Sequence, residues 1–144
     1  MSTSQLSTFH VGRYAFGIEV KSVQEVIRYQ PMTRVPLAPP SVGGLINLRG
    51  QVITAIDLRH RLGLPARADG VLPMNVVVRT ADGAVSLLVD RIGEVVHADS
   101  DDFEAPPETV TGPGRELILG AYKLDGALLL ALDVPRAVDV LPTA

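Results

Sequence analysis

The chain has 144 residues, a net charge of −3 and no cysteine, and 47% of its residues are apolar although only 4% are aromatic. This length fits one domain, or two small lobes that share a core of aliphatic side chains. The missing cysteines exclude disulfides, thiol catalysis and cysteine-bound metals. The negative charge and the scattered cations argue against binding along a nucleic-acid backbone.

The sequence predicts a cytoplasmic protein without membrane insertion. No apolar run approaches the ~18 residues that a membrane span needs. The first five residues lack the basic-then-apolar pattern of a signal peptide. Eleven of the 13 cations are arginine, which slightly favours contacts with other proteins.

The first third of the chain predicts short strands. Residues 6–11 and 14–20 read as a hairpin around Gly12-Arg13, because glycine beside apolar, β-rich runs is typical of a two-residue turn. Four prolines within 31–40 predict an extended connection or an edge strand. Residues 65–72 form a polar linker.

A helix is predicted between these segments. Ser22 and Glu25 have the spacing of a capping box, in which each side chain accepts a backbone hydrogen bond at the start of a helix. The helix would carry Val23, Val26 and Ile27. A plain turn is the alternative.

The central hairpin spans residues 43–57. Two β-rich runs, 45–48 and 52–56, flank a tight turn at Arg49-Gly50. The turn presents Arg49 in an otherwise uncharged surround, and a guanidinium held on a short turn is suited to recognising a carboxylate. An ordinary solvated turn residue is the alternative. Asp57 then fits the N-cap of a helix ending near residue 63.

The second half predicts more strands and one long irregular segment. That segment, 99–114, is first acidic and then rich in proline and glycine, and is the segment most expected to be mobile. Asp125-Gly126 is the turn of the last hairpin, and Asp133 caps a closing helix. The predicted strands of this half are 74–80, 85–89, 92–96, 117–124 and 128–132.

The two halves repeat the same pattern. Glycines and an aspartate recur 76 positions later, and an apolar pattern that includes a glutamate recurs 69 positions later. A repeat of about 70 residues with short strands favours two small β-barrels side by side. The turn tips differ, Arg49 in one copy and Asp125 in the other, so function is expected where the copies differ. The recurring residues are Gly44, Gly50 and Asp57 with Gly120, Gly126 and Asp133, and 18–26 with 87–95.

Candidate catalytic residues are few. Asp57 and Asp133, one per repeat, suggest a site with two carboxylates. Each precedes a helix-like segment and lacks the following Ser/Thr-Gly of an aspartic protease, so helix caps are favoured and a small β-barrel enzyme is the alternative. The histidines His10, His60 and His97 lack the spacing of a metal site. We therefore assign no catalytic residue, metal or cofactor.

The central block resembles a known family. Residues 42–53, Val-Gly-Gly-Leu-Ile-Asn-Leu-Arg-Gly-Gln-Val-Ile, followed by Ile-Asp-Leu-Arg at 56–59, resemble the bacterial chemotaxis coupling protein (CheW) family. Thr54-Ala55 departs from a proline-valine pair that is common there. The resemblance spans residues 6–141 and continues in 14–18, 23–27, 33–36, 89–95 and 129–133.

The resemblance implies a fold and a function. The fold would be two five-stranded SH3-like β-barrels around a shared hydrophobic interface, with short helices. One barrel would cover about 12–70 and the other about 71–141, with strand 6–11 left open to either. The function would be a non-enzymatic adaptor between chemoreceptor cytoplasmic tips and the regulatory domain of the histidine kinase CheA. A pathway driving pili or another non-flagellar output is the alternative.

The resemblance also implies binding residues. Arg49 would face the receptor, Val89 and Ile92 would line the groove between the barrels where a receptor helix tip docks, and two glycines would hold the backbone. A second motif would bind receptor or kinase. The receptor-binding residues are thus Arg49, Val89, Ile92, Gly44 and Gly50, and the second motif contributes Val23 and Glu25.

Overall fold

The computed structural model describes residues 3–124 and 126–140, and strands dominate it. Two short helices are α1 (Leu58–Arg61) and α2 (Val134–Val138), and no helix in this part of the chain is long and apolar enough to cross a membrane. The strands are β1 (Thr3–Val11), β2 (Tyr14–Glu19), β3 (Val23–Ile27), β4 (Val42–Leu48), β5 (Gln51–Asp57), β6 (Met74–Thr80), β7 (Gly83–Val89), β8 (Arg91–Asp99), β9 (Phe103–Glu104), β10 (Ile118–Leu124) and β11 (Ala127–Leu132).

The strands form two sheets that correspond to two SH3-like barrels. The first barrel has the strand order β3-β6-β7-β5-β4, and the second has β8-β1-β2-β11-β10-β9. In each barrel the chain that leaves one edge strand reaches the opposite edge of the sheet. After β3, Thr33 forms a β-bridge with Leu45 on β4; after β8, strand β9 pairs with β10. The predicted fold class, mainly β with two SH3-like barrels, is confirmed.

The internal repeat is visible in the strand register. In the first barrel β5 and β7 run parallel, with Thr54 opposite Val85. In the second barrel β11 and β2 run parallel, with Leu130 opposite Phe16. These pairs are related by the 76- and 69-residue offsets. The two copies therefore share backbone geometry as well as composition.

The predicted boundary at residue 70 does not coincide with the division between the sheets. The hairpin β6–β7 (Met74–Val89) pairs with strands from the first half of the chain, and the hairpin β1–β2 (Thr3–Glu19) pairs with strands from the second half. Strand 6–11 thus lies in the second barrel. The reason is that each parallel seam, β5–β7 or β11–β2, joins strands from different repeats, and such long-range pairing leaves no local signal.

One apolar core joins the barrels, and each barrel has a smaller core of its own. The shared core takes Phe9 and Phe16 from the second barrel, with rings stacked at 5.8 Å, and Ile56 and Leu87 from the first. The smaller cores centre on Ile46 in the first barrel and on residues such as Leu129 in the second. Because both barrels bury side chains in one core, they are held as a single body.

The helix predicted from the capping box is wrong. Residues 23–27 form strand β3, preceded by a single 3-10 turn at Val20–Ser22 with no side-chain cap. Valine and isoleucine fit a pleated strand better than a helix, and the pairing of β3 with β6 supplies backbone hydrogen bonds that a local helix would have to replace.

The acidic and proline-rich segment after β8 is held by its own side chains. Asp99 caps a 3-10 turn by accepting from the Asp101 N–H at 3.0 Å, and β9 follows. Arg115 donates to the carbonyls of Pro107 at 2.6 Å and Val110 at 2.8 Å. The predicted turn residue Asp125 lies outside the described residues.

Candidate partner-binding site

The Arg49–Gly50 turn joins β4 to β5 as predicted. Both residues have positive φ, 52° and 86°, which is the geometry of a two-residue hairpin turn. The Asn47 side chain accepts a hydrogen bond from the Gly50 N–H at 2.9 Å and so holds the turn closed. A Cβ at position 50 would meet nothing within 4 Å, so glycine is needed there for conformation rather than for space.

Arg49 is not isolated, contrary to the expectation of an uncharged surround. Its guanidinium donates to the Glu25 carboxylate on β3, and the two side chains are 70% and 20% exposed. An ion pair this open to water contributes at most about 1 kcal/mol, so it does not lock the arginine. The pair joins two residues that the sequence placed in separate motifs and presents them together at the surface of the first barrel.

Gly44 has a structural reason to be glycine. It lies at a β-bulge where the register between β4 and β5 shifts, with φ of 152°. A Cβ there would come within 2.8 Å of the Thr33 carbonyl oxygen and 2.9 Å of the Met32 Cβ. The close approach of the bridging segment to β4 therefore excludes any side chain.

The apolar site residues are placed unequally. Val23 and Ile92 are equivalent residues of the two repeats; each lies at the start of an edge strand, as the first residue of β3 and the second of β8, and each is partly buried and packs against the shared core. Val89 is completely buried, with 0% exposure, in the same core. Val89 therefore packs inside the core that the two barrels share, and its side chain is not accessible to a partner in this structure.

A second charged cluster lies where the barrels meet, and the sequence did not identify it. Arg67, in the linker after α1, approaches Asp57 Oδ1 at 3.1 Å and Asp90 Oδ1 at 2.9 Å. Arg59 approaches Asp90 Oδ2 at 2.6 Å, and the Gly12 N–H donates to the same oxygen at 2.6 Å. We call these four side chains, Arg59, Arg67, Asp57 and Asp90, the interbarrel cluster.

The interbarrel cluster ties elements of both barrels together. Asp57 ends β5 of the first barrel, Asp90 lies between β7 and β8, and Gly12 is the turn of the β1–β2 hairpin in the second barrel. Burial opposes ionisation of Asp90, but the Gly12 N–H and the charges of Arg67 and Arg59 outweigh it and hold the pKa of this carboxyl below its usual value. Two cations balance two carboxylates, which suits a structural joint.

The predicted caps are confirmed. Asp57 accepts from the Arg59 N–H at 3.1 Å at the start of α1, and Asp133 accepts from the Arg136 N–H at 3.2 Å at the start of α2. Within residues 3–124 and 126–140 no three His, Asp or Glu side chains gather in a way that could hold a metal ion. Each aspartate therefore caps a helix, which is the interpretation that the sequence favoured.

The fold and the exposed turn define a double SH3-like barrel with a charged surface site. The CheW-like domain family matches residues 5–141, and the chain belongs to this family. It is 32% identical to the chemotaxis protein CheW of Treponema pallidum, over 92% of this chain and 80% of that protein. It is 30% identical to CheW of Bacillus subtilis, over 94% and 86%.

A solved structure agrees with the family. The scaffolding protein CheW of Thermoanaerobacter tengcongensis superposes with a TM-score of 0.81 at 27% identity, covering 91% of this chain and 89% of that one. Family and structure together support a chemotaxis scaffold or adaptor role for the chain.

Proposed function

We propose that the chain is a non-enzymatic, cytoplasmic adaptor that joins chemoreceptor signalling tips to the regulatory domain of the histidine kinase CheA. The observation that carries the proposal is the Arg49–Glu25 pair, presented on a tight turn of a scaffold that belongs to the CheW-like family. A rigid scaffold with an exposed charged pair suits reversible recognition of another charged surface.

The receptor contact would use the exposed side of Arg49. With 70% of its side chain in water, the arginine can bind a receptor carboxylate while it keeps or exchanges Glu25. A helical receptor tip would lay its apolar face along the partly buried Val23 and Ile92. Interfaces of this kind are often at or below roughly 1,200 Å² and bind weakly, so arrays of many copies would supply strength through effective concentration.

The kinase contact would use the barrels themselves. The regulatory domain of CheA is expected to have the same double-barrel fold, so barrel could pack against barrel. Support comes from exposed apolar side chains at equivalent positions of the two barrels: Val26 and Val95, at 37% and 54% exposure, and Val52 and Leu128, at 64% and 40%. Such residues offer apolar contact area that the isolated fold leaves unused.

Co-sedimentation with receptor signalling fragments and with the kinase, separately and together, tests the proposal. Arg49→Glu should weaken receptor association by about 1–3 kcal/mol, roughly 5- to 150-fold, and leave kinase binding largely intact. Arg13→Glu, at the tight turn of the β1–β2 hairpin, is the matched control and should bind both partners normally. Unchanged receptor association of Arg49→Glu would remove the assigned role.

A charge swap separates partner contact from internal structure. The double variant Glu25→Arg with Arg49→Glu keeps an ion pair between β3 and the turn but reverses its direction. If the receptor contacts Arg49 directly, the double variant will bind the receptor as weakly as Arg49→Glu alone. Recovery of wild-type binding by the swap would show that only the internal pair matters.

A further inference from the structure

The loop between β3 and β4 contains an apolar residue that the fold does not use. Leu37 is fully exposed, at 105%, and has a φ of 64°. The Ala38 N–H donates to the Val35 carbonyl at 3.3 Å, and Pro36 precedes Leu37, so the leucine occupies the third position of a β-turn. Glycine or asparagine is preferred at a positive φ in that position, because a branched aliphatic side chain is strained there.

The same loop in the other repeat behaves differently. The bridge between Thr33 and Leu45 matches the pair between Glu104 and Ala121, so the loops that follow are equivalent. In the second barrel this loop inserts Val110 into the shared core, where it is 6% exposed. The first barrel turns its apolar side chain outward instead. Backbone strain kept at an exposed position without a packing gain points to an external contact.

A groove runs beside this turn; most of its accessible surface is polar, and Arg34 gives it positive charge. Neither Arg34, which lines it, nor the neighbouring Arg28 takes part in an ion pair among the described residues, whereas Glu25 on the adjacent strand is already paired with Arg49. An occupant with negative charge would therefore be favoured. The groove has a volume of about 410 Å³, and its walls include Tyr29, Met32, Arg34, Val35, Leu37 and Val42.

The prolines of the loop determine what kind of segment can lie there. Pro36, Pro39 and Pro40 lack an N–H, so this wall cannot offer the regular backbone ladder that an added strand requires. A helix satisfies its own backbone and needs only side-chain contacts. We propose that the groove is a docking site for an acidic amphipathic helix of a partner protein, anchored by Leu37. This site is separate from the Arg49 turn and does not depend on the function proposed above.

The test uses the full chain and a fluorescent synthetic helix of about 18 residues, with leucines at i, i+3, i+4 and i+7, a few glutamates beside them and alanines elsewhere. Fluorescence anisotropy should show saturable binding that Leu37→Asn and Arg34→Glu each weaken at least about tenfold. Leu72→Asn makes the same chemical change at another exposed leucine, 60% accessible, and should bind within about twofold of wild type. A peptide with lysine in place of glutamate should bind at least about tenfold more weakly.

Several results would overturn the proposal. One is that wild type and Leu37→Asn bind the peptide with equal affinity. A second is that wild type shows no binding at about millimolar peptide. A third is that a peptide whose helix is broken by a central proline binds as well as the intact helix. Thermal unfolding checks the anchor independently. Leu37→Asn should keep or raise the Tm, because it relieves strain and removes no buried contact; a large fall would show that the leucine serves the fold.

Discussion

Replacing Arg67 by methionine tests whether the interbarrel cluster stabilises the fold. The methionine keeps most of the aliphatic volume but removes a guanidinium that is 10% exposed. Two ion pairs, to Asp57 at 3.1 Å and Asp90 at 2.9 Å, and a hydrogen bond to the Leu88 carbonyl at 3.2 Å would be lost. Breaking a buried pair typically costs about 3–5 kcal/mol.

The expected cost here is smaller. Asp90 keeps Arg59 and the Gly12 N–H, both at 2.6 Å, and Asp57 is 28% exposed and can be solvated. We therefore expect a loss of about 2–3 kcal/mol in the free energy of unfolding, which lowers the Tm by about 6–12 °C. Urea unfolding followed by circular dichroism measures the first quantity and calorimetry the second.

A double-mutant cycle shows whether the charges are the cause. Arg67→Met, Asp90→Asn and the double variant should give a coupling energy of about 1–2 kcal/mol. Arg136→Met is the matched control, because its pair with Asp133 is 3.6 Å long and its side chain is 66% exposed; it should cost less than about 1 kcal/mol. An Arg67→Met protein as stable as the control variant, or a coupling energy near zero, would refute the reasoning.

Three further predictions concern stability. The lowered pKa of Asp90 stabilises the fold at pH values above its ordinary pKa of 3.8, and this contribution is lost as the pH falls through the folded-state pKa. The free energies of unfolding of Asp90→Asn and wild type should therefore differ most near neutral pH and converge in acid. In denaturant titrations Gly44→Ala should cost about 2–4 kcal/mol, because its Cβ would meet neighbouring atoms at 2.8 and 2.9 Å. Gly50→Ala places its Cβ in open space and should cost only about 1 kcal/mol of backbone strain. Equal costs for the two variants would contradict the close approach at the bulge. Asp133→Ala should cost about 1 kcal/mol because the cap of α2 is lost, and Asp57→Ala should cost more because it also loses the ion pair with Arg67. A larger cost at Asp133 than at Asp57 would contradict these roles.

The hairpins could be predicted because their signals are local. Gly12 and Gly50 both adopt positive φ between alternating or apolar runs, and the structure places a turn at each. Strand β3 (Val23–Ile27) could not be separated from a helix, since a serine three residues before a glutamate fits a capping box whatever the chain does next. Pairing with β6 decides the outcome, and that strand lies about 50 residues away.

The candidate site was predictable in its parts but not in its arrangement. Arg49 and Glu25 were selected separately, and their pairing follows from the closure of the first barrel, which brings β3 beside the β4–β5 turn. Val89 ends the largely apolar run 85–89, and such a run indicates burial, which the structure shows at 0% exposure; its assignment as a surface contact came only from the family resemblance. Arg67 lies in a linker without periodicity, and nothing in its local sequence marks it as a partner of Asp90.

The exchange of hairpins between the repeats has a consequence for how the molecule can be divided. A cut in the linker that carries Arg67 would leave β1–β5 in one fragment and β6–β11 in the other, and each fragment would hold only part of each barrel. Neither half could fold by itself, yet the two could complement each other, as could halves from two different chains. Both barrels must therefore form or melt as one cooperative unit.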